Sequence, residues 1–361
     1  MGLPEQRTRG WPFMPHPLCI TNLDPAAALP SAEIRIHGAH LASANRVPEV
    51  RIGGLAAPVL VALDHLVVAR VPEASVTGPV EVGRAGGEGG LCQAPQILEV
   101  AMLIAENLHP VCNPALDPEG NIYVTLSGAR GQKTPVSLFK LDANYALKAW
   151  SSAVINPSGL AFDRAGVLYV SSRQEGAIYR MAANGAATLV AEGLGVATGM
   201  AFDRAGDLYV GDRSGTIFKI NADRITFVFA TLEPSVAAYH LAFGPDRYLY
   251  VTGPSTSSFD TVWRVSPDGR VEPFFRGLGR PQGLAFDQNG CLYIAASYRG
   301  RRGVVRLSPG GQAECVVSGN NLVGLAFAAG RHGGPGRPGL VLATHTALYY
   351  LPWSTSGLSL F

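Results

Sequence analysis

The sharpest chemical signal in the sequence is a histidine that interrupts a repeated pattern. Residues 158–170 read SGLAFDRAGVLYV, and two further segments repeat this pattern with Gly at the same second position. A fourth segment, residues 239–251, reads YHLAFGPDRYLYV and places His240 there, directly after Tyr239. An imidazole can act as a general base, a metal ligand or a hydrogen-bond donor. We therefore predict His240 and Tyr239 as candidate catalytic residues, and the alternative is a structural histidine that binds a water.

Other polar residues fall in the same two columns of the repeat alignment. The position before the repeated glycine carries Cys112, Ser158, Thr198, Tyr239, Gln282 and Val323. The glycine position itself carries Asn113, Gly159, Gly199, His240, Gly283 and Gly324. We predict Asn113, Ser158, Thr198 and Gln282 as ligand-binding residues. The alternative for Asn113 is a turn residue, since Asn-Pro is a turn signal, and the alternative for the other three is that they only satisfy waters in the channel. Cys112 is interpreted as a buried, inert thiol rather than a nucleophile paired with His240.

Arginines are frequent in the segments that follow the second strand of each repeat. They are Arg130, Arg173, Arg213, Arg299, Arg301 and Arg302. A guanidinium is suited to planar recognition of a carboxylate or phosphate, so an anionic ligand is one hypothesis. We predict Arg173, Asp212, Arg213 and Arg299 as ligand contacts. The alternative is that these are solvated loop charges.

The elements that position these residues follow from the repeat spacing. The turn glycines are Gly120, Gly166, Gly206 and Gly290, with Arg247 at the equivalent place in the odd copy, at spacings of 46, 40, 41 and 43 residues. A sixth copy spans residues 323–344. This period matches the four-stranded blade of a β-propeller. The last copy has only three strands, so we expect residues 99–108 to supply its outer strand and close the ring.

The repeat unit PSGLAFDRAGVLYVSS…GAIYRM resembles an NHL repeat, and the array of six is similar to the NHL and SMP-30/gluconolactonase-like propellers. The resemblance covers residues 101–361. It implies that the first strand of each blade lines a central channel. The loops entering these strands, and those between second and third strands, would open together on one face, here called the channel mouth. Such propellers serve as hydrolases, lyases and binding scaffolds, so the resemblance implies no single activity.

Metal-dependent lactonases of the SMP-30 class hold a divalent cation with Glu, Asn and Asp residues at the entries to the blades. The matching entries here read CNPAL, PSGLAF, ATGMAF and PQGLAF, which lack carboxylates, and Cys112 stands where the Glu would be. The usual motif therefore does not support a divalent metal ion. No metal ligand is predicted, and the cofactor stays unknown.

The first hundred residues have a different pattern. Alternating strands are expected at 32–41, 48–59, 65–73 and 78–87, joined by Gly- and Pro-containing turns. Their order resembles an IPT/TIG immunoglobulin-like domain over residues 16–100. The resemblance implies a spacer or a docking module.

Composition excludes several classes of function. Lys and Arg number 29 against 27 Asp and Glu, for a net charge of +2, so no basic stripe for nucleic acid is expected. No apolar run reaches the ~18 residues of a membrane span. Residues 1–20 lack the apolar core of a signal peptide, so a cytoplasmic location is expected.

The sequence thus predicts an all-β protein: a disordered leader (1–15), an IPT/TIG-like immunoglobulin-fold β-sandwich (16–100) and a six-bladed β-propeller closed by an N-terminal strand (101–361). The first functional hypothesis is a propeller that binds a small molecule or a protein at the channel mouth. The alternative is an SMP-30/NHL-type hydrolase (lactonase or esterase) or lyase with a rearranged site. A third is a structural role in which the sandwich tethers the propeller. Whether the protein is an enzyme stays open on the sequence.

Overall fold

The computed structural model describes residues 17–42, 46–84, 90–329 and 338–359. Every regular element among these residues is a β-strand, which confirms the predicted all-β class. Within the same ranges, no helix is long and apolar enough to cross a membrane. The predicted leader, residues 1–15, lies outside the described residues.

Nine strands precede the propeller. They are β1 (Cys19–Asp24), β2 (Ala27–Ala28), β3 (Glu33–Ala39), β4 (Glu49–Ile52), β5 (Leu55–Ala56), β6 (Val59–Ala62), β7 (Leu66–Arg70), β8 (Gly78–Gly83) and β9 (Leu91–Val100). One sheet has the order β1-β3-β7-β6, and the other contains β2-β9-β8-β4-β5. Ile34 and Ile36 of the first sheet are fully buried and share one core with Ile52 and Val82 of the second. Alternating burial along the strands thus builds the predicted β-sandwich.

Six four-stranded units follow, numbered as blades 1 to 6. Blade 1 has β11 (Ala115–Leu116), β12 (Ile122–Thr125), β13 (Leu138–Leu141) and β14 (Leu147–Ser151). Blade 2 has β15 (Pro157–Phe162), β16 (Leu168–Ser172), β17 (Ala177–Met181) and β18 (Ala187–Ala191). Blade 3 has β19 (Ala197–Phe202), β20 (Leu208–Asp212), β21 (Thr216–Ile220) and β22 (Thr226–Thr231). Blade 4 has β23 (His240–Phe243), β24 (Leu249–Thr252), β25 (Asp260–Val265) and β26 (Val271–Leu278).

Blades 5 and 6 complete the ring. Blade 5 has β27 (Leu284–Phe286), β28 (Leu292–Tyr298), β29 (Arg301–Leu307) and β30 (Ala313–Ser318). Blade 6 has β31 (Leu322–Ala328), β32 (Gly339–Thr344), β33 (Ala347–Pro352) and, as its outer strand, β10 (Met102–Glu106). Met102 pairs antiparallel with Tyr350, and Glu106 pairs with Ala347. The predicted closure by a strand from residues 99–108 is therefore confirmed.

One aromatic contact recurs between successive blades. A tyrosine in the second strand of one blade meets, edge to face, a phenylalanine in the first strand of the next blade. The pairs are Tyr123–Phe162, Tyr169–Phe202, Tyr209–Phe243, Tyr250–Phe286 and Tyr293–Phe327, with ring centroids 4.8–5.5 Å apart. Each pair contributes about 0.5–1.5 kcal/mol beyond the area it buries. The LAF and LYV residues of the repeat thus encode the packing of the ring.

The sandwich is joined to the outer edge of blade 5. Ala28 in β2 pairs in parallel with Ser318 in β30 and, on its other side, with Val100 in β9, so the blade sheet and one sandwich sheet are continuous. The guanidinium of Arg301 lies 2.5 Å from the carboxylate of Asp24. This junction covers a blade edge that would otherwise expose unpaired backbone groups. The predicted domain boundary at residues 100–101 stays a prediction.

Candidate functional site

The repeated glycines lie where neighbouring first strands approach most closely. A Cβ on Gly159 would lie 2.3 Å from the carbonyl oxygen of Thr198, and one on Gly199 would lie 2.3 Å from that of Tyr239. A side chain at this position therefore collides with the next blade unless the local packing changes. Asn113 and His240 are the two residues at this position of the ring that carry one.

Asn113 uses its side chain to join three blades. Its Nδ2 donates to the carbonyl of Leu284 in blade 5 at 2.9 Å, and its Oδ1 accepts from the amide of Leu325 in blade 6 at 3.1 Å. The amide therefore bridges the point where blade 1 meets the last two blades. These two hydrogen bonds explain why an asparagine occupies a position that is glycine in other blades: its side chain joins blade 1 to blades 5 and 6.

His240 begins strand β23 and is 1% exposed. Burial lowers the pKa of His240 from 6.5 to about 3, so its imidazole is neutral at pH 7. Its Nε2 is buried and makes no hydrogen bond within the part of the chain that the structure describes. An efficient general base has a pKa near the working pH, and a buried neutral imidazole falls far below that range. It remains able to accept or donate one hydrogen bond.

Tyr239 and Thr198 connect blades 3 and 4. The Thr198 hydroxyl donates to the carbonyl of Gly211 at 2.9 Å and accepts from the amide of Tyr239 at 3.0 Å. The Tyr239 hydroxyl donates to the carbonyl of Glu233. Burial raises the pKa of Tyr239 to about 12, so its phenol keeps its proton. Both hydroxyl groups are thus engaged within the protein.

Cys112 and Ser158 meet between blades 1 and 2. The Sγ of Cys112 lies 3.6 Å from the Oγ of Ser158, and both residues are buried. Burial raises the pKa of Cys112 to about 12, and the nearby Ser158 and Arg173 only partly oppose this effect. The nucleophilic form of cysteine is the thiolate, which is scarce here at neutral pH.

Arg173 and Arg213 lie in the loops between second and third strands of blades 2 and 3. Arg173 donates from Nη2 to the carbonyl of Gly128 at 3.1 Å, and burial and the charge of Arg213 both lower the pKa of Arg173. Among the described residues, neither arginine is in an ion pair with a carboxylate. The carboxylate of Asp212 accepts from the amide of Val196 and from the hydroxyl of Ser214, so it is already engaged.

The three arginines of the blade 5 hairpin have different surroundings. Arg299, with φ +50°, forms the exposed turn with Gly300 and lies over the ring of Tyr298 at 5.1 Å. Arg301 pairs with Asp24 of the sandwich. Arg302 follows on the opposite face of β29 and lines a pocket. Of the rim arginines in this hairpin, only Arg302 therefore lines that pocket.

This pocket, here called the mouth pocket, is a cavity of about 290 Å³ between blades 5 and 6. Its polar lining consists of Arg280, Gln282, Ser297, Arg302, Asn321 and His345. Burial lowers the pKa of His345, and electrostatic interactions with His109 and Arg280 lower it further. Arg280 and Arg302 have exposed side chains and, among the described residues, no ion pair. The described lining contains no acidic side chain.

The structure brings only Gln282 of the predicted site residues into the mouth pocket. Its neighbour Arg280, two residues earlier in GRPQG, was not among the residues predicted from sequence. Asn113 and His240 instead occupy the inner ring. Arg173, Asp212 and Arg213 belong to blades 2 and 3, on another part of the rim.

The far end of the channel is apolar. A cavity of about 460 Å³ there is lined by residues of all six first strands, including Leu116, Phe202 and Phe286, and by residues 356–359. The amide of Leu358 donates to the carbonyl of Phe286 at 2.9 Å, so the C-terminal segment lies across this opening. The described residues that line this central cavity include no charged side chain.

The metal site implied by the SMP-30 resemblance does not fit these residues. The described residues hold no group of three His, Cys, Asp or Glu side chains that could bind a metal ion. His109 and His345 are electrostatic neighbours, whereas His240 lies buried in the first strand of blade 4. These three histidines therefore do not form a metal-binding group.

Several solved structures are similar in fold. An auxiliary nutrient binding protein from Bacteroides ovatus is 13% identical, with a TM-score of 0.52 over 97% of this chain and 100% of that chain. A gluconolactonase from Xanthomonas campestris is 17% identical, with a TM-score of 0.53 over 69% of this chain and 88% of that chain. A protein of unknown function from Bacteroides thetaiotaomicron is 12% identical, with a TM-score of 0.55 over 94% of this chain and 98% of that chain. Likeness at these identities shows the fold alone.

The similarity is not found at the level of sequence. No protein-family model matches the chain, and no curated protein does either. The NHL and IPT/TIG assignments therefore stay resemblances.

Proposed function

We propose that the protein is a binding propeller that takes a small anionic molecule at the channel mouth, in the mouth pocket between blades 5 and 6. The observation that carries this proposal is the lining: Arg280, Arg302 and His345 line the pocket, and no acidic side chain is part of its described lining. The nearby carboxylate of Asp260 accepts from the backbone amides of Arg280 and Ser255. A carboxylate, sulfate or phosphate group complements this charge.

The shape and the remaining lining support the same ligand class. A volume of about 290 Å³ is just below the lower bound of the range for small-molecule sites, ~300–1,000 Å³, so it suits a small ligand. The amides of Gln282 and Asn321 can donate to further oxygens of the ligand. Arg173 and Arg213 add positive charge on another part of the rim, which favours the approach of an anion.

The chemistry around the mouth favours binding over turnover. Cys112 is held as a thiol by burial, and His240 has a pKa of about 3. The hydroxyl groups of Thr198 and Tyr239 are engaged between blades. No activated nucleophile therefore stands beside a base with a suitable pKa in the described part of the mouth.

One observation favours the rival, a hydrolase or lyase with a rearranged site. The Nε2 of His240 is buried and unpartnered among the described residues. A substrate group reaching into the inner ring could accept or donate a hydrogen bond there. This role would require a substrate that restores the basicity of the imidazole, for example by placing a negative charge beside it.

The sandwich is proposed to act as a rigid support. Its β2 strand pairs with the outer strand of blade 5, whose hairpin carries Arg302.

The test is a thermal-shift screen of inorganic and carboxylate anions, followed by calorimetry of those that stabilise the protein. Binding to the native state raises the melting temperature by mass action. We expect divalent oxyanions and dicarboxylates to stabilise the protein more than monovalent halides at equal ionic strength. Equal shifts for all salts would contradict a specific anion site. Release of a hydrolysed product from a lactone or ester panel, lost in His240→Gln, would favour the rival instead.

A further inference from the structure

We propose a second ligand site, at the end of the propeller opposite the mouth, which takes a small aromatic molecule bearing an anionic group. This site is separate from the mouth pocket and is lined by different residues. It is a pocket of about 350 Å³ between blades 3 and 4, here called the interblade pocket.

The walls of the interblade pocket are aromatic. Tyr209 contacts Phe229 and Phe243 edge to face, with ring centroids 4.9 and 5.0 Å apart, and all three line the cavity. Val265 and Pro267 complete the apolar wall. Aromatic edges and faces pack well against a planar ring, so this lining favours an aromatic over a purely polar occupant.

Charge at the rim favours an anion. Arg204 and Arg247 line the pocket, and neither is in an ion pair among the described residues. A third cation, Lys219, is already neutralised by Asp207 at 2.7 Å. Asp203 also lines the pocket, but its carboxylate accepts from the amides of Ala205 and Asp207 and from the hydroxyl of Tyr209, so its oxygens are engaged. The two guanidinium groups are left to bind a ligand carboxylate or sulfonate.

The repeat supplies an independent observation. Arg247 stands in the turn position that four other blades fill with glycine, at Gly120, Gly166, Gly206 and Gly290. Its φ is +68°, in the left-handed region that those glycines also adopt. A side chain is strained in this conformation, whereas glycine is not.

Strained residues are concentrated at functional sites, where the surrounding structure maintains them. Here the strain places a guanidinium at the rim of the cavity. Blade 4 thus departs from the repeat at the residue that the proposed site requires.

The experiment is isothermal titration of the full-length protein with naphthalene-2-carboxylate, and with naphthalene-2-carboxamide as its uncharged analogue. The decisive variant is Arg247→Gly, which restores the repeat residue and relieves the strain. Arg204→Ala removes the second guanidinium. Its matched control is Arg164→Ala, because Arg164 occupies the equivalent turn position of blade 2.

We expect naphthalene-2-carboxylate to bind the wild type, and the carboxamide to bind at least tenfold more weakly. Arg247→Gly and Arg204→Ala should each weaken binding of the carboxylate at least tenfold, while Arg164→Ala leaves it unchanged. The melting temperature of Arg247→Gly should equal or exceed that of the wild type, which excludes unfolding as the cause. No binding to the wild type at about 1 mM probe, or undiminished binding to Arg247→Gly, would overturn the proposal.

Discussion

The side chain of Asn113 occupies the space next to Gly283: a Cβ on Gly283 would lie 2.1 Å from the Oδ1 of Asn113 and 2.5 Å from the Cα of Gly324. The side chain of Asn113, which joins blade 1 to blades 5 and 6, thus fits only against a residue without a side chain. The close packing at this point therefore requires both Asn113 and Gly283.

Gly283→Ala should therefore destabilise the protein, because the new methyl group must displace either Asn113 or the backbone of blade 6. We expect a loss of about 1–3 kcal/mol in the free energy of unfolding. Urea denaturation measures it. Gly310→Ala is the control, since the atom nearest its Cβ would be the Ser308 Oγ at 3.8 Å. Equal stability of the two variants would contradict the close approach.

The buried, neutral imidazole of His240 should make the stability of the protein depend on pH. Its pKa is about 3 in the folded protein and near 6.5 when unfolded, so between these values the unfolded chain binds a proton that the native state does not. The contribution of the neutral His240 to the free energy of unfolding is fully present above pH 6.5. It is lost as pH falls towards 3, by up to about 1.4 kcal/mol per pH unit. Urea titrations across this range should show a shallower pH slope for His240→Gln.

The solvent-exposed His65→Gln is the matched control for that slope, and it should behave as the wild type. If His240→Gln retained the full acid sensitivity of the wild type, the imidazole would not be the buried neutral group described above.

Cys112 should resist alkylation in the folded protein. Burial raises the pKa of Cys112 to about 12 and leaves the thiol 5% exposed, whereas Cys19 is exposed. Iodoacetamide followed by peptide mass spectrometry at pH 8 should label Cys19 first and Cys112 only after denaturation. Native labelling of Cys112 at the rate of Cys19 would reveal an accessible thiolate and would revive a nucleophilic role.

Anion binding at the mouth pocket should strengthen as pH falls. The pKa of His345 is lowered in the free protein, so protonation at acid pH adds a positive charge to the lining. Sulfate keeps its charge over this range, and we expect its affinity to rise about fivefold between about pH 7.5 and pH 5.5. Calorimetry at both pH values tests this. His345→Gln should abolish the change, and an unchanged pH effect in that variant would exclude His345.

The fold was accessible from sequence because its signals are local and repeated. The turn glycines at 40- to 46-residue spacing and the LAF and LYV strands each encode one blade, and the three-stranded last copy indicates that an earlier strand must complete it. Met102–Glu106 fills that place.

The candidate site was harder to predict from the sequence because its contacts join distant parts of the chain. Asn113 bonds partners 171 and 212 residues away, which no local pattern encodes. Arg301 and Arg302 are adjacent residues of the same type, yet the strand directs one towards Asp24 and the other towards the mouth pocket. The signal that could have identified Arg280 is its position in GRPQG, just before a predicted site residue.

The central claim, an anion site at the channel mouth, is tested most directly by calorimetric titration of sulfate into the wild type, Arg302→Ala and Arg299→Ala. The two variants remove the same charge from the same hairpin, but only Arg302 lines the mouth pocket. We predict that the wild type binds sulfate, that Arg302→Ala weakens binding at least tenfold, and that Arg299→Ala stays within about twofold of the wild type. Equal losses in both variants, or no sulfate binding by the wild type, would contradict the account.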